Sequence, residues 1–485
     1  MTKINYKLML ALIAAEILST FELAMIYAAL RFMIEDFGSP VAVGWIITSF
    51  LLASAVAAAL CGRLGDMYDR KQVLLGVITL SIIGSLVAGA SDSLAGVVIG
   101  RTIQGSAGAI LPLCVGILRE HVDRKPLPIY LGVLTSIITV SAGLGILLGG
   151  VLVDYLTWHW IFFTSALAGV IAWLAVYFLI PPGITKQAEP GTNFLGGILF
   201  APAIVCLLLA ITKAPAWGWT DALTLALLAI GGVLLVAWGR SELNARVPLL
   251  NIRLLLHREI LLVNIATILL GLTWMQFQQV WSILLQQPVS TGTGLGLSAS
   301  LAGLVVQPQT AMALVGGPLA GWYFMRHGTR SSMALGALVL ALAWFAAMLK
   351  HDSIAFIVLL MLVMGISSAF LFALLPVIVT RSAPEDRTSE AMGMMAVMRT
   401  TAMSIGAQLV AYLLNTSTVP SPDGGGNFPD DAAYRLAMGF IATGILLISV
   451  LYALFYRPPE TRTASVTDDS ARPANGTGLT DAGLN

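Results

Sequence analysis

The sequence predicts an all-α protein that crosses a lipid bilayer many times. Of its 485 residues, 58% are hydrophobic and only 11% are charged, whereas a soluble domain usually carries about 25% charged residues. The apolar residues fall in runs of about 20, which is the length a helix needs to span a membrane. Lys and Arg collect in alternate connections between these runs, as expected of connections that stay in the cytoplasm. Together these observations indicate a polytopic membrane protein.

Apolar runs long enough to form membrane helices occur fourteen times along the chain. The two least regular runs, 194–213 and 220–239, are separated only by residues 214–219. An even number of crossings places both termini on the same side of the bilayer. The runs lie near 8–30, 41–61, 73–90, 94–117, 128–153, 158–181, 194–213, 220–239, 259–285, 300–325, 331–349, 353–380, 391–416 and 434–456.

The distribution of positive charge predicts the orientation. With a cytoplasmic N-terminus, the cytoplasmic connections hold most of the Lys and Arg residues, and the opposite side holds few. Those few are Arg31, Lys350, Arg435 and, at a helix end, Lys213. Lys3 and Lys7 precede the first run, but no small-residue cleavage site follows, so we expect this run to be retained as a membrane helix. We therefore predict a cell-membrane protein with both termini in the cytoplasm.

Several functional classes are disfavoured by composition and motifs. No basic stripe accumulates, so the sequence does not indicate nucleic-acid binding. Cys61, Cys114 and Cys206 lie in or beside apolar runs without the spacing of metal ligands, and we expect no metal site. No Gly-rich loop ending in Lys-Ser or Lys-Thr is present, which argues against direct use of ATP. We expect no enzyme activity and no cofactor, with a proton gradient as the energy source.

Two similar segments indicate an internal repeat. Residues 62–71 follow the second run and residues 321–330 follow the tenth, and each begins with Gly and ends with a cation. Many membrane proteins use repeated halves to build two bundles around a central site. We predict a six-helix bundle at 1–181, two linker membrane helices at 182–239 and a second six-helix bundle at 240–456. Residues 457–485 are polar without apolar periodicity, which predicts a disordered cytoplasmic tail.

Four motifs resemble those of the major facilitator superfamily, and the number of runs resembles its fourteen-helix drug:proton antiporter branch. The motifs are GRLGDMYDRK at 62–71, RTIQGSAGAILP at 101–112, GILLGG at 145–150 and WHWIFF at 158–163. The resemblance covers residues 1–456 and implies the superfamily fold, two six-helix bundles, with two extra helices. Asp69 stands where the family usually has Gly, Ile146 where it has Pro, and Arg31 where Pro is frequent. The missing proline at 146 weakens the inference to antiport, but not the inference to transport.

The resemblance also implies a function. It implies a secondary active transporter that exports amphiphilic or hydrophobic small molecules in exchange for protons, by alternating access between the two bundles. Its partners would be a small-molecule substrate, protons and the lipid bilayer, and we expect a monomer. A proton symporter or facilitator, or a lipid-moving transporter, stays open as an alternative. A sensor or scaffold would usually carry a folded output domain, and none is visible in this sequence.

Two charged residues inside apolar runs are the candidates for proton coupling. Arg101 lies about two helical turns into the fourth run, where a charge costs about 2.5–3.5 kcal/mol on insertion scales. Such a residue usually faces a cavity or a partner, although it can also hold backbone carbonyls in a purely structural role. Glu22 lies in the first run, where the resembled branch commonly has an acidic residue. Burial favours the neutral form of Glu22 and a nearby cation favours its charged form, a balance that suits proton uptake and release.

The motif at 62–71 predicts a latch. Gly62 and Gly65 permit close backbone approach at a tight turn. Asp66 can accept hydrogen bonds, and Arg70 and Lys71 can bind facing carboxylates. The resemblance implies a latch that holds the outward-facing conformation. The alternative is a basic loop that only reflects the preference of cytoplasmic connections for Lys and Arg.

The fifth run carries a face of small residues. Gly145, Gly149 and Gly150 suit tight contact between membrane helices. The resemblance assigns this antiporter-type face to sealing or pivoting between the bundles, and ordinary helix packing is the alternative.

Further polar and aromatic residues are predicted to line a substrate cavity. They are Glu16, Tyr27 and Gln104 in the first half and Trp274, Gln278 and Arg399 in the second. Glu16 and Glu22 lie about 120° apart around a helix, so both cannot point into one narrow cavity. Amides inside membranes either join helices or line a polar path, so bundle packing is the alternative for Gln278 and its neighbours. Arg399 also lies inside an apolar run, so the cost of placing a charge within the membrane applies to it as it does to Arg101.

Overall fold

The computed structural model is almost entirely helical. It describes residues 6–122, 127–181, 194–244, 258–382, 388–420 and 426–456. The helices are α1 (Tyr6–Phe37), α2 (Pro40–Met67), α3 (Arg70–Gly89), α4 (Leu94–Gln104), α5 (Ile110–His121), α6 (Leu127–Tyr155), α7 (His159–Leu179), α8 (Phe194–Trp217), α9 (Ala222–Asn244), α10 (Arg258–Leu272), α11 (Phe277–Gln286), α12 (Ala299–Leu349), α13 (Ile354–Ser382), α14 (Thr388–Leu414) and α15 (Asp431–Phe455). Short 3-10 segments lie at Gly105–Ala109, Trp274–Gln276 and Val289–Thr291. Strands β1 (Thr418–Pro420) and β2 (Asn427–Pro429) pair antiparallel.

The described helices support a membrane-spanning fold. In the described ranges, 11 helical segments are long and apolar enough to cross a membrane, and shorter apolar segments lie at Val140–Tyr155 and Pro202–Ile211. The segment Ala299–Leu349 has 51 residues and is broken at Gly328, whose φ of 75° is left-handed. At about 1.5 Å of rise per residue, it is long enough for two crossings of a hydrocarbon core about 30 Å thick. The predicted all-α membrane fold is confirmed, while the number of fourteen crossings stays a prediction.

Two predicted loops are largely helical. α2 continues to Met67, so Gly62 and Gly65 lie in its last turns and the connection to α3 is only Tyr68 and Asp69. Residues 321–330 likewise belong to α12, apart from the break at Gly328. The prediction of a tight turn at Gly62 and Gly65 was therefore wrong. A drop in hydropathy shows where the chain leaves lipid, whereas a helix continues as long as its backbone hydrogen bonds are made.

Polar side chains between the apolar runs start several helices. Ser39 Oγ accepts the Ala42 amide at 3.3 Å, with Pro40 in the first turn of α2. Asp69 Oδ1 accepts the Lys71 amide at 2.9 Å at the start of α3. These oxygens satisfy amides that a helix start leaves unpaired. Equivalent caps are Ser93 for α4, Ser298 for α12 and Asp430 for α15.

We use "first half" for α1–α7 and "second half" for α10–α15 with both strands. We call the end of the molecule that carries β1 and β2 the hairpin end, and the opposite end, where α1 begins and α15 ends, the termini end. The Asn427 amide in β2 donates to the Gly38 carbonyl after α1 at 3.1 Å. The larger buried apolar cluster combines the two halves, with Leu30 and Trp281 among its members. A smaller cluster, which includes Leu12, contains only first-half side chains. The halves thus share a core towards the hairpin end.

Helices α8 and α9 pack against each other, and α8 also contacts α2 and α14. The Lys213 Nζ lies 4.5 Å from the centroid of the Trp45 ring, a cation–π contact that joins α8 to α2. The division into a bundle at 1–181, linker helices at 182–239 and a bundle at 240–456 stays a prediction. The predicted tail at 457–485 lies outside the described residues.

Candidate functional site

Two charged groups lie deep inside the first half. Glu22 of α1 is 2% exposed and Arg101 of α4 is 0% exposed. α4 begins at Leu94, so Arg101 lies two turns into its helix, as predicted. Burying a charge in an apolar interior is costly unless it is paired and hydrogen-bonded, so the partners of both groups matter.

Arg101 binds backbone oxygens of two other helices. Its Nη1 donates to the Glu22 carbonyl at 2.8 Å and to Gln104 Oε1 at 2.6 Å, and its Nε donates to the Ile46 carbonyl at 3.2 Å. The guanidinium carbon lies 4.0 Å from the centroid of the Phe50 ring. Arg101 therefore joins α1, α2 and α4 through main-chain contacts, and it faces these partners rather than a cavity.

The Glu22 side chain points towards α3. Its Oε1 accepts hydrogen bonds from Ser81 Oγ and, at 3.5 Å, from Ser85 Oγ. Gln104 Nε2 donates to Ser85 Oγ at 2.9 Å. We call Glu22, Ser81, Ser85, Arg101 and Gln104 the Arg101 network. It forms a continuous hydrogen-bonded set across α1, α3 and α4.

Two atoms of the Arg101 network have no hydrogen-bond partner among the described residues. They are Glu22 Oε2 and Arg101 Nη2, one on each charged group. A buried polar atom without a partner costs about 1–3 kcal/mol, and more when it is charged. A half-satisfied carboxylate in the same network as a half-satisfied guanidinium suits a group whose protonation state changes.

Glycines permit the close contacts around the network. A Cβ on Gly84 would lie 2.4 Å from the Gln104 amide nitrogen, and a Cβ on Gly105 would lie 2.7 Å from the Phe50 carbonyl oxygen. Directly after Gln104 the chain changes to 3-10 geometry over Gly105–Ala109. α3 and α2 can therefore approach this part of the chain at backbone distance.

The helices that Arg101 holds also bind the second half. In α1, the Tyr27 carbonyl accepts a hydrogen bond from Ser282 Oγ. In α2, Thr48 Oγ1 lies 3.3 Å from Gln408 Oε1, and the Thr48 carbonyl accepts from Ser404 Oγ at 3.2 Å. A movement of α1 or α2 relative to Arg101 would therefore change the hydrogen bonds between the halves.

The remaining first-half candidates are buried rather than cavity-lining in this conformation. Glu16 is 2% exposed and its carboxyl lies near the Cys114 thiol of α5, so it points to a different helix from Glu22, in keeping with their angular separation. Tyr27 is 5% exposed and Gln104 is 0% exposed. The structure brings Gln104 together with Glu22 and Arg101, and it does not bring Glu16 to them.

The cations of the 62–71 motif bind helices of their own half. Arg70 pairs with Glu120 at the end of α5. Lys71 Nζ donates to the carbonyls of Tyr177 and Ile180 at 2.8 and 2.6 Å, at the end of α7. Gly65 packs against α5, where a Cβ would lie 2.7 Å from Leu113 Cδ2. Gly62 and Asp66 belong to the last turns of α2, and the Asp66 side chain lies outside the described parts.

The small-residue face of α6 makes close contacts in two directions. A Cβ on Gly145 would lie 2.9 Å from Ala24 Cβ, and one on Gly149 would lie 3.0 Å from the Met25 carbonyl oxygen, both in α1. A Cβ on Gly150 would lie 2.8 Å from backbone atoms at the start of α12. The face therefore packs α6 against its own half and, at Gly150, against the second half.

Asp154 strengthens this contact between the halves. Its carboxylate accepts the Ala299 and Ser300 amides, each at 2.8 Å, and the Ser300 hydroxyl at 2.5 Å. These are free amides of the first turn of α12, where a carboxylate also interacts favourably with the helix dipole. Asp154 thus fastens α6 to α12 at the hairpin end.

The second-half candidates lie around α10, α11 and α14. Trp274 is 5% exposed and its ring lies 4.9 Å from that of Phe277. Gln278 is partly buried. Arg399, also partly buried, borders a cavity of about 30 Å³ whose other lining residues are Thr267, Leu270, Phe372, Leu375, Pro376 and Met395. The structure places Arg399 in this cavity and does not bring it to the Arg101 network.

A larger cavity of about 940 Å³ opens within the second half at the termini end. Glu259, Arg330, Arg381 and Tyr456 are among its lining residues, and Arg330 Nε donates to the Ala453 carbonyl at 2.8 Å. The hairpin end is closed by contacts between the halves, whereas open space lies at the termini end.

Three residues of these contacts were missed by sequence reasoning. Ser81 and Ser85 are four residues apart in a predicted membrane helix, which places two hydroxyls on one face, and this spacing could have marked them. Asp154 is an acidic residue four positions after Gly150, close to the end of an apolar run. Its partners lie 145 and 146 residues away, so no local pattern reveals them.

Comparisons with known proteins agree with the motifs. A family model described as the Major Facilitator Superfamily matches residues 12–307 and 264–477. The tetracenomycin C resistance and export protein of Streptomyces glaucescens is 27% identical over 380 residues, which cover 77% of this chain and 68% of that protein. Multidrug resistance protein 3 of Bacillus subtilis is 24% identical over 377 residues, which cover 76% of this chain and 71% of that protein. The uridine/deoxyuridine transporter of Lactococcus lactis subsp. cremoris is 31% identical over 333 residues, covering 66% and 68%.

Solved structures with a similar fold include transporters of unlike substrates. An auto-inhibited POT family peptide transporter superposes with a TM-score of 0.68 at 18% identity, covering 96% of this chain and 99% of that one. A D-xylose–proton symporter superposes with a TM-score of 0.64 at 14% identity, covering 93% of this chain and 98% of that one. Identities this low support the fold alone. The resemblance that the four motifs indicated is confirmed.

Proposed function

Because the chain belongs to the major facilitator superfamily and is a multi-pass membrane transporter, we propose that it exports amphiphilic small molecules in exchange for protons. Two relatives support export of drug-like compounds, since they are named for tetracenomycin C export and for multidrug resistance. Their bacterial sources support a location in the plasma membrane. We propose that both termini are cytoplasmic and the hairpin end is outside, because the distribution of Lys and Arg favours this orientation. We propose a monomer as the working unit.

The observation that carries the proposal is the Arg101 network. The Glu22 carboxylate of α1 and the Arg101 guanidinium are both enclosed, and each has one atom without a partner among the described residues. The guanidinium binds main-chain carbonyls of α1 and α2, and these two helices contact the second half at Ser282 and Ser404. A group that titrates in this position would act on the contact between the halves. That is the requirement for coupling a proton to alternating access.

The proposed cycle uses Glu22 as the group that binds the proton. Charged Glu22 offsets the charge of Arg101 within the first half. When Glu22 is protonated, its carboxyl gains a donor and Arg101 loses its counter-charge, so the hydrogen bonds to Ser81, Ser85 and the main chain rearrange. Because a binding event shifts conformations by its differential affinity for them, proton binding would favour one arrangement of α1 and α2 against the second half. Glu22 is enclosed here, so proton exchange would take place in another conformation.

A proton gradient is sufficient as the energy source. One charge that moves through about 100 mV releases about 2.3 kcal/mol, and each pH unit adds about 1.4 kcal/mol. One inward proton could therefore support a gradient of roughly a few hundredfold in a neutral substrate.

The proposal is tested by transport in proteoliposomes under an imposed pH gradient. We expect Glu22→Gln to abolish gradient-driven movement of an amphiphilic probe such as 1-anilinonaphthalene-8-sulfonate, because the amide cannot take up a proton. The matched control is Glu35→Gln in the same helix, where Glu35 pairs with Arg31 at 2.9 Å and is partly exposed. Full gradient-driven transport in the Glu22→Gln protein would remove Glu22 from the mechanism.

Nucleoside transport by symport or facilitation is the second candidate. The 31% identical relative named as a uridine/deoxyuridine transporter favours it, as does Ile146 at a position where the antiporter motif usually has Pro. Uridine uptake that acidifies the lumen of proteoliposomes would support symport, whereas export of a probe with luminal acidification would support antiport. Movement of labelled lipids in the same vesicles would support the lipid-moving alternative.

A further inference from the structure

We propose that Arg399 and Thr267 form a binding subsite for the anionic head of an amphiphilic organic anion, such as an aromatic carboxylate or sulfonate. This inference rests on the proposed function and narrows its substrate class. The subsite is the cavity of about 30 Å³ between α10, α13 and α14.

Arg399 is a cation without a hydrogen-bond or ion-pair partner among the described residues. Five of the other residues that line its cavity are apolar: Leu270, Phe372, Leu375, Pro376 and Met395. None of the described lining residues is acidic. A guanidinium in apolar surroundings is costly unless an anion pairs with it, and its planar fork fits two oxygens of one head group.

Thr267 supplies a second, independent indication. It is 2% exposed, and its Oγ1 has no partner in the described structure. A threonine within a helix commonly donates to the carbonyl four residues before it. Thr273 and Thr400 do so, to Leu269 at 2.6 Å and Ala396 at 3.0 Å. A buried hydroxyl that lines the cavity without this bond is available to a ligand.

Asn264 extends the donor set along the same helix face. It precedes Thr267 by three residues and is 3% exposed, and neither of its amide atoms has a partner in the described ranges. The spacing of three residues places Asn264 one turn from Thr267 on one side of α10. The hydroxyl and guanidinium donors line an otherwise apolar cavity, and the Asn264 amide lies one helical turn from the hydroxyl. This chemistry favours acceptor oxygens with negative charge.

The size of the cavity limits what enters it. Pockets that enclose a drug-sized molecule have volumes of about 300–1,000 Å³. A cavity of about 30 Å³ is far smaller, so it would take a small head group rather than a whole drug-sized molecule. The apolar body of the ligand would lie outside it, against neighbouring apolar side chains. The ligand is therefore a small anionic group on a larger apolar frame.

Two dyes that differ by a sulfonate provide the test. They are 1-anilinonaphthalene-8-sulfonate and its neutral counterpart N-phenyl-1-naphthylamine. Binding to the full-length protein in neutral-lipid nanodiscs is measured by fluorescence without a pH gradient, with empty nanodiscs as the blank. We expect the wild type to prefer the sulfonate about tenfold, as a charge-assisted pair implies. We expect Arg399→Gln to remove that preference, Arg399→Lys to keep part of it, and Thr267→Val to reduce it about threefold.

Controls separate this inference from misfolding and from the proposed function. Arg435→Gln, at an exposed arginine paired with Asp431, should keep the full preference. A wild type without preference, an unchanged preference in Arg399→Gln, or displacement of the dye by chloride as readily as by benzoate would overturn the inference. Proton-driven transport by the wild type is scored separately in proteoliposomes, with both dyes as probes. A sulfonate preference that depends on Arg399 without proton-driven transport would support this inference and refute the proposed function.

Discussion

Two arginines lie at membrane depth, one in each half, and their surroundings differ. Arg101 has three hydrogen bonds and an aromatic ring against its guanidinium, and it is fully buried. Arg399 is partly buried beside a small cavity, without a hydrogen-bond partner in the described ranges. The first charge already has its partners within the protein, whereas the second has a space in which a partner fits. The same residue type can therefore serve coupling in one half and ligand recognition in the other.

The largest effect is expected when the arginine with partners is removed. Arg101→Met leaves the carbonyls of Glu22 and Ile46 and the Gln104 amide oxygen without their donor, and Glu22 without its counter-charge. Breaking a buried charged network in this way costs about 3–5 kcal/mol. We expect a large drop in the midpoint of thermal unfolding in nanodiscs. A midpoint equal to that of the wild type would contradict the idea that Arg101 holds α1 and α2 together.

A smaller effect is expected at the contact that joins the halves. Asp154→Asn keeps one acceptor but loses the charge that binds the start of α12. We expect this to weaken closure of the hairpin end by about 1–2 kcal/mol, or roughly tenfold in population. The measurement is the distance between spin labels at Tyr155 and Val289, which are exposed, in a background without native cysteines.

The control for Asp154 lies at the same end. Asp36 accepts a hydrogen bond from Trp158 Nε1 at 2.6 Å within the first half, so Asp36→Asn should leave the label distances unchanged. Equal distance distributions for Asp154→Asn and the wild type would show that Asp154 does not contribute to closure.

The arginine without partners should respond in the opposite direction. Arg399→Met removes a charge that no described group compensates and fills apolar space. We expect the thermal midpoint to stay level or to rise by the equivalent of about 1 kcal/mol. A loss of stability as large as that of Arg101→Met would mean that Arg399 is also a structural arginine, and the contrast between the two halves would disappear.

The smallest effect is expected at the 62–71 motif. Lys71 binds two carbonyls at the end of α7 from a partly exposed position, and such an interaction contributes about 0.3–1 kcal/mol. Lys71→Gln should therefore lower the thermal midpoint only slightly and leave transport within about twofold of the wild type. A tenfold loss of transport without a change in stability would instead support the latch that the resemblance implied.

The sequence was sufficient for the fold class and for the depth of the charged residues. Apolar runs are long and frequent, and the bilayer permits few structures besides helices across it, so these runs are enough to predict an all-α fold. The position of Arg101 within α4 followed from counting residues in its run. Helix ends were less predictable: α2 continues to Met67, and residues 321–330 are mostly helical, because polar residues can extend a helix beyond the lipid.

The partners of the charged residues were not predictable from the chain. Ser85 donates to the carbonyl of Ser81 at 2.9 Å and also contacts Glu22, and the first of these bonds is common to serines in membrane helices. The second bond depends on Glu22 of α1 lying within reach of α3 in the folded protein. The bond between Asp154 and the start of α12 likewise depends on how the halves meet. Hydropathy describes each segment against lipid and contains no information on which segments are neighbours.

The proposal that Glu22 takes up the coupled proton is tested most directly by infrared difference spectroscopy of the protein in lipid. Spectra at acidic and alkaline pH are subtracted, and the band of a protonated carboxyl is followed in the wild type, Glu22→Gln and Glu16→Gln. We predict that the wild type shows a titrating band that is lost in Glu22→Gln and retained in Glu16→Gln. A titrating band that persists in Glu22→Gln and is lost in Glu16→Gln would contradict the proposal and assign the proton to the other carboxylate of α1.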